Sequence, residues 1–254
     1  TEFVGYEKYE TDSKILFIIK GDELTENAQE GEEVTLILDR TPFYGESGGQ
    51  VGDTGYIVAA GGTVRISDCK KTSDGKYLHI GVVEKGIIEK NENVKAKIDD
   101  RRRMDIARNH STTHLLHKAL RNVLGDHVNQ AGSLVEPGRF RFDFTHFSPV
   151  DSDDLKKIEQ EVNEKILESL PVTVMEMTLD QARELGAMAL FGEKYGDQVR
   201  VVKMGDYSLE LCGGTHLENT SQAGLIKIIS ESGIASGVRR IEALTGKAAI
   251  EYLN

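Results

Sequence analysis

Two short stretches carry the side chains best suited to chemistry. The first is His110, Ser111, Thr112, Thr113, His114. Its two histidines stand four residues apart, about one helical turn, so both imidazoles can point from one helix face at one ion. The second is Cys212, Gly213, Gly214, Thr215, His216, where two residues without a β-carbon let the chain turn tightly behind a strand. Together His110, His114, Cys212 and His216 offer three imidazoles and one thiolate, a nitrogen/sulfur set suited to Zn2+. Either pair alone is common. Their joint occurrence in a chain with only two cysteines is what points to a metal. His117 continues the helix face as a bystander, and Cys69 has no histidine near it in sequence. A zinc closed by four ligands would tie helix to strand, whereas a catalytic zinc needs an open position. In the catalytic case one of the four is loose, with His216 the first candidate, or the coordination expands. No glutamate lies between the histidines, so the HExxH pattern of metallopeptidases is absent. No carboxylate stands out as a general base.

A glycine-rich segment, residues 40–55 (RTPFYGESGGQVGDTG), is the other conspicuous feature. It lacks the Gly-Lys-Ser/Thr ending of a Walker phosphate loop. By composition it is a loop shaped by Gly45, Gly48, Gly49, Gly52 and Gly55.

These groups need elements to hold them. Residues 14–20 and 33–38 are rich in Ile, Leu, Val and Phe, and 55–58, 63–67, 77–83 and 94–98 continue the pattern. Turns such as Gly61-Gly62 and Asp74-Gly75 separate them, which predicts a small closed or nearly closed β-barrel. The texture changes near Asp99. Residues 101–124 contain neither Pro nor Gly and read as a helix stopped by Gly125. Residues 152–170 form a second helix, with Leu155, Ile158, Val162 and Ile166 on one face, Ser152 as cap and Pro171 beyond its end. Residues 179–188 are a shorter helix, and 247–254 begin another. Strands are expected at 140–144, 172–177, 199–203, 208–212, 224–230 and 238–245. The fold class is therefore α+β, a small N-terminal β-barrel (1–98) followed by an α+β core with an antiparallel sheet and a zinc site (99–254).

Composition excludes some functions. With 254 residues, 39% hydrophobic and 29% charged, the chain can bury a real core. No apolar run approaches the roughly 20 residues needed to cross a bilayer, so no membrane partner is expected. No signal-peptide pattern opens it, so the expected location is cytoplasmic, and a start at Thr1 fits a segment of a longer protein. The net charge of -11 argues against an extensive nucleic-acid surface. It leaves room for a small one, such as Arg101, Arg102, Arg103 and Arg108, or Arg239 and Arg240.

The two metal motifs, taken with residues 40–55, resemble the editing region of alanyl-tRNA synthetases over essentially the whole chain. The wording of residues 43–50 is closer to the synthetases than to their free-standing editing relatives. Threonyl-tRNA synthetases share a similar metal core without this barrel. The resemblance implies a deacylase that hydrolyses Ser-tRNA(Ala) and Gly-tRNA(Ala), acting on the tRNA(Ala) 3′ end beside the remaining domains of a full-length synthetase. It implies that Thr113 recognises the serine hydroxyl and that Gln130 lines the editing pocket. It also implies that Arg239 contacts the tRNA end and that Gly48, Gly49 and Gln50 face the cleft and touch the 3′ end or the aminoacyl group. Arg240, next on the strand, faces the other way. The alternatives are a free-standing deacylase of the same superfamily and an RNA-binding module with a structural zinc. No ATP site is recognisable.

Overall fold

The structure, a computed structural model, describes residues 1–190 and 194–254. The chain divides into two compact units. One comprises Thr1–Ser47 and Val51–Arg103, the other Gly48–Gln50 and Met104–Asn254.

Alternating side chains close the first unit into a barrel. Its strands are β1 (Glu2–Phe3), β2 (Glu10–Lys20), β3 (Glu23–Thr25), β4 (Asn27–Gln29), β5 (Glu33–Leu38), β6 (Arg40–Thr41), β7 (Gly55–Ala59), β8 (Gly62–Lys71), β9 (Tyr77–Glu89) and β10 (Asn93–Ile98). Six pair in the order β10-β7-β8-β9-β5-β2, and β2 pairs back to β10, so these six strands close on themselves. Val34, Leu36 and Leu38 from β5 and Val94, Ala96 and Ile98 from β10 point inward at every second residue. On β2 the phase changes: Ile15 and Ile18 are both buried, because the register slips between Ile15 and Phe17. β8 and β9 run well past the expected strands at 63–67 and 77–83, since polar ends such as Lys70 and Lys71 still complete the ladder.

The polar side chains buried in this unit include a histidine and an ion pair. His79 is fully buried, 2.7 Å from Thr41 Oγ1 and 2.9 Å from the Leu36 carbonyl, and burial pushes its imidazole down to about 4. Arg103 and Asp53 form a buried ion pair. The guanidinium also donates to the carbonyls of Gly5 at 2.7 Å and Pro42 at 2.9 Å, and Asp53 accepts from the Tyr44 amide at 2.8 Å.

The second unit is built around one helix. α1 (Asp100–Leu124) enters it at Met104, and every residue from Asn109 to His117 is buried. A four-stranded antiparallel sheet, in the order β11 (Gln130–Val135), β12 (Phe140–Thr145), β17 (Val238–Thr245), β16 (Ile226–Ala235), turns Phe140, Phe142 and Phe144 toward the core. The His117 ring lies 5.4 Å from that of Phe142, and Asn109 bonds to the Glu136 carbonyl and to Thr245 Oγ1, which seats α1 on this sheet. α2 (Ser152–Leu167) covers the edge of β16: Asn163 pairs with the backbone of Ile226, and Glu159 accepts from the Ile228 amide at 2.8 Å. A smaller antiparallel sheet has the order β13 (Val172–Thr178), β14 (Gln198–Met204), β15 (Ser208–Leu211). α3 (Leu179–Glu184), a short 3-10 helix (Thr220–Ala223) and α4 (Gly246–Leu253) complete the unit among the described residues.

Several boundaries differ from the sequence expectation. The cap of α2 is Asp151, whose carboxylate accepts from the Asp154 amide at 2.8 Å, rather than Ser152. That helix stops at Leu167, well before Pro171, because Ser169 takes a φ of 57°. α3 stops at Glu184, and Gly186 with a φ of 81° turns the chain out of it. β11 was not anticipated, since its Gln130-Ala131-Gly132-Ser133 opening lacks β-branched residues and bulges between Gln130 and Gly132.

Candidate metal centre

A helix buried on every side is normally apolar. The middle of α1 instead carries Asn109, His110, Ser111, Thr112, Thr113, His114 and His117, all buried. Buried polar groups are destabilising unless partnered, so their partners show what the helix is for.

The four expected donors converge. The ligand atoms of His110, His114, Cys212 and His216 lie within 4.8 Å of one another. Cys212 Sγ is 3.4 Å from His110 Nε2 and 3.2 Å from His216 Nε2. A tetrahedral ion with ordinary bond lengths would separate nitrogen and sulfur ligands by about 3.6 Å, close to these distances. The cluster can therefore hold a metal ion.

Each imidazole turns its Nδ1 away from the cluster to a different partner. His110 Nδ1 is 2.6 Å from Gln50 Oε1, and His216 Nδ1 is 3.0 Å from Ser111 Oγ. His114 Nδ1 is 3.0 Å from Glu210 Oε2, without the alignment of a hydrogen bond. The other oxygen of Glu210 lies 2.6 Å from His117 Nδ1. Burial, and then the neighbouring imidazole and Arg200, hold His110 well below the usual histidine range. Burial likewise lowers His114 against the opposing pull of Glu210, and lowers His216, which His110 and His114 depress further. Each shift is toward the neutral imidazole, the form that ligates a metal. Burial would raise Glu210, but His114 and His117 outweigh it and hold the carboxyl below its usual range.

The loop that follows β15 is shaped by close approach. A β-carbon on Gly214 would stand 2.0 Å from His110 Cε1 and 2.3 Å from its Nδ1. Arg200 donates to the carbonyls of Cys212 at 3.0 Å and Gly214 at 2.6 Å, which fixes the loop from behind. A cleft of about 550 Å³ reaches His114, His117 and Glu210, with Met175, Met188 and Leu209 among its walls.

The remaining expected residues fall in several places. Gln50 is fully buried, with its Oε1 also accepting from the Thr215 amide and its Nε2 donating to Thr215 Oγ1. Gly49 packs against Ser133, where a β-carbon would come within 2.5 Å, and its carbonyl accepts from the Val135 amide. Gly48 has open space at its β-carbon position and a φ of 57°. Gln130 donates to Ser133 Oγ, so Gly49, Ser133 and Gln130 form one neighbourhood. Thr113 donates its hydroxyl to the Asn109 carbonyl one turn back at 2.8 Å. Arg239 grips the carboxylate of Glu231, with Nε to Oε2 at 2.8 Å, and lies in one cross-strand row with Phe144 and Gln130. Arg240 pairs with Asp143 on the opposite face. Glu210, Arg200 and Ser111 were not singled out from the sequence. Glu210 had a signal: two residues before Cys212 on a strand, it shares that residue's face.

Residues 1–102 match the family of tRNA synthetases class II (A), and residues 199–242 match the threonyl and alanyl tRNA synthetase second additional domain. Over 254 residues the chain is 66% identical to an alanine–tRNA ligase of Acetivibrio thermocellus, covering 100% of this chain and 29% of that protein. The chain belongs to the alanyl-tRNA synthetase family. Alanine–tRNA ligases of Thermoanaerobacter sp. (strain X514) and Bacillus cytotoxicus are each 56% identical across the whole chain, again over 29% of their own length. The chain thus spans less than a third of these synthetases. Cys212 and the strand before it fall inside the second-additional-domain match, and His110 and His114 fall between the two matched segments.

Proposed function

We propose that this chain is the editing segment of an alanyl-tRNA synthetase, hydrolysing the ester of Ser-tRNA(Ala) and Gly-tRNA(Ala). The observation that carries the reading is the convergence of His110, His114, Cys212 and His216 on one point inside the second unit. The donor set and its spacing fit zinc, which would supply Lewis-acid polarisation of the ester carbonyl and stabilisation of the developing oxyanion. Editing answers a physical limit: a synthetic pocket for alanine cannot strongly reject serine, which adds one hydroxyl, or glycine, which lacks one methyl.

The chain's residues divide the remaining work. Gln50 and Ser111 each hold the outward nitrogen of one imidazole, keeping His110 and His216 oriented. Thr113 has already donated its hydroxyl proton to the Asn109 carbonyl, so toward substrate its oxygen is an acceptor, suited to a serine hydroxyl. Gln130, beside Gly49 and Ser133, lines the aminoacyl pocket. Gly48 and Gly49 present backbone to the terminal adenosine, and Arg239 contacts the tRNA end. The remaining synthetase domains bring the tRNA, and the work belongs to cytoplasmic protein synthesis. Among the described residues no helix is long and apolar enough to cross a membrane.

The test compares hydrolysis of seryl-tRNA(Ala) and alanyl-tRNA(Ala), with and without a zinc chelator. Chelator-sensitive loss of serine with alanine spared is the expected result. Cys212→Ala is expected to lose metal and deacylation together. Wild-type hydrolysis by a zinc-free Cys212→Ala protein would defeat the metal-based reading. A folded, zinc-loaded sample that hydrolyses neither ester, even joined to its tRNA-binding domains, would mean that the zinc is structural.

A further inference from the structure

Glu210 lies between two buried imidazoles. It is the one carboxylate among the described residues within ion-pair distance of a cluster histidine, and it meets two imidazoles at once: His114 Nδ1 at 3.0 Å and His117 Nδ1 at 2.6 Å. Each carboxylate oxygen faces one ring nitrogen, and a carboxylate oxygen accepts, so each contact is made when the nitrogen facing it carries the proton. For His114 this leaves Nε2 with its lone pair toward the cluster. His117 is too firmly engaged on Glu210 to be a bystander, and it is not among the four donors.

Burial sharpens the constraint. His114 Nδ1 and Glu210 Oε2 are both shut off from solvent and have no other hydrogen-bond partner among the described residues. Among the described residues only a contact with each other satisfies both. His117 holds the other carboxylate oxygen, so the carboxylate cannot swing out into the cleft that it lines.

We propose that Glu210 is a positioning residue for the metal centre: it fixes His114 as the Nδ1–H tautomer with Nε2 presented to the ion, and His117 braces the carboxylate from its second oxygen. This rests on the reading of the cluster as a metal site and adds two residues that act through His114 rather than on substrate.

Two measurements on the whole chain test it. Zn2+ affinity by competition with a chromogenic chelator is expected to fall about 10- to 100-fold in Glu210→Gln, the range typical of lost outer-shell partners, and by less in His117→Gln. Independently of any metal, nitrogen NMR of the metal-free protein is expected to show His114 protonated at Nδ1, and a mixture of tautomers in Glu210→Gln. If that variant does not fold, Glu210→Asp, which keeps the charge but withdraws it by one methylene, is read in its place. A folded variant with wild-type Zn2+ affinity and an unchanged His114 tautomer overturns the inference. A wild-type chain that binds no Zn2+ overturns the metal reading instead, and the tautomer measurement still decides the hydrogen bond.

Discussion

Gly214→Ala adds one methyl group where the structure has no room for it. The backbone φ at Gly214 is ordinary, so the residue is required for space rather than for a left-handed turn. The new carbon would lie 2.0 Å from His110 Cε1, 2.3 Å from His110 Nδ1 and 2.8 Å from Gln50 Oε1. Carbon atoms in ordinary contact sit about 3.5–4.0 Å apart, so the imidazole must retreat by more than about 1 Å. Metal–ligand distances tolerate about 0.2 Å, several times less than that displacement. The same movement breaks the 2.6 Å contact between His110 and Gln50. Loss of an outer partner alone weakens metal binding about 10- to 100-fold, so loss of a ligand with its partner is expected to weaken it by at least about 100-fold. The assay is Zn2+ competition against a chromogenic chelator, with thermal melting of the metal-free protein to separate folding from binding. Gly138→Ala is the control, since nothing lies near its β-carbon position. Wild-type Zn2+ affinity in Gly214→Ala would refute the argument that close packing of this loop seats His110.

The barrel unit makes separate predictions. Asp53→Asn leaves the Arg103 guanidinium buried without its counter-charge, which is expected to destabilise the fold by about 3–5 kcal/mol in denaturant unfolding; a loss below about 1 kcal/mol would mean that the backbone carbonyls alone satisfy Arg103. His79 is depressed to about 4 in the folded state, so the unfolded chain takes the proton first, and stability falls as pH drops from about 6.5 toward 4. The full effect is about 3 kcal/mol. Unfolding free energies across that range are expected to fall more steeply in wild type than in His79→Asn, and equal slopes would remove His79 as the cause.

Much of the site was legible because metal ligation demands particular residue types at helical and turn spacings, and those survive as short motifs. His110 to His114 and Cys212 to His216 are of this kind, and the structure brings all four together. Their outer partners were harder to read. Ser111, Arg200 and Glu210 are ordinary residues in sequence, and only tertiary placement aims them at Nδ1 or at a loop carbonyl. Gln50 was singled out only through the family resemblance of residues 40–55, and its link to His110 joins positions 60 apart in sequence. The barrel was legible from runs rich in Ile, Leu, Val and Phe separated by glycine-containing turns. The extensions of β8 and β9, and the Gln-Ala-Gly-Ser start of β11, were not, because there pairing with a neighbour overrides weak local preference.

Gly48, Gly49 and Gln50 lie in sequence between two stretches of barrel, yet they pack with the unit that carries the histidines. The barrel therefore cannot be traded as a self-contained module. A shorter chain beginning at Met104 would keep all four metal donors but lose the acceptor for His110 Nδ1 and the carbonyl that receives the Val135 amide. Any descendant that exchanged its barrel for another would have to carry this tripeptide along, or find a new acceptor for that imidazole. Recombination at the apparent seam is thus penalised by three residues on the wrong side of it.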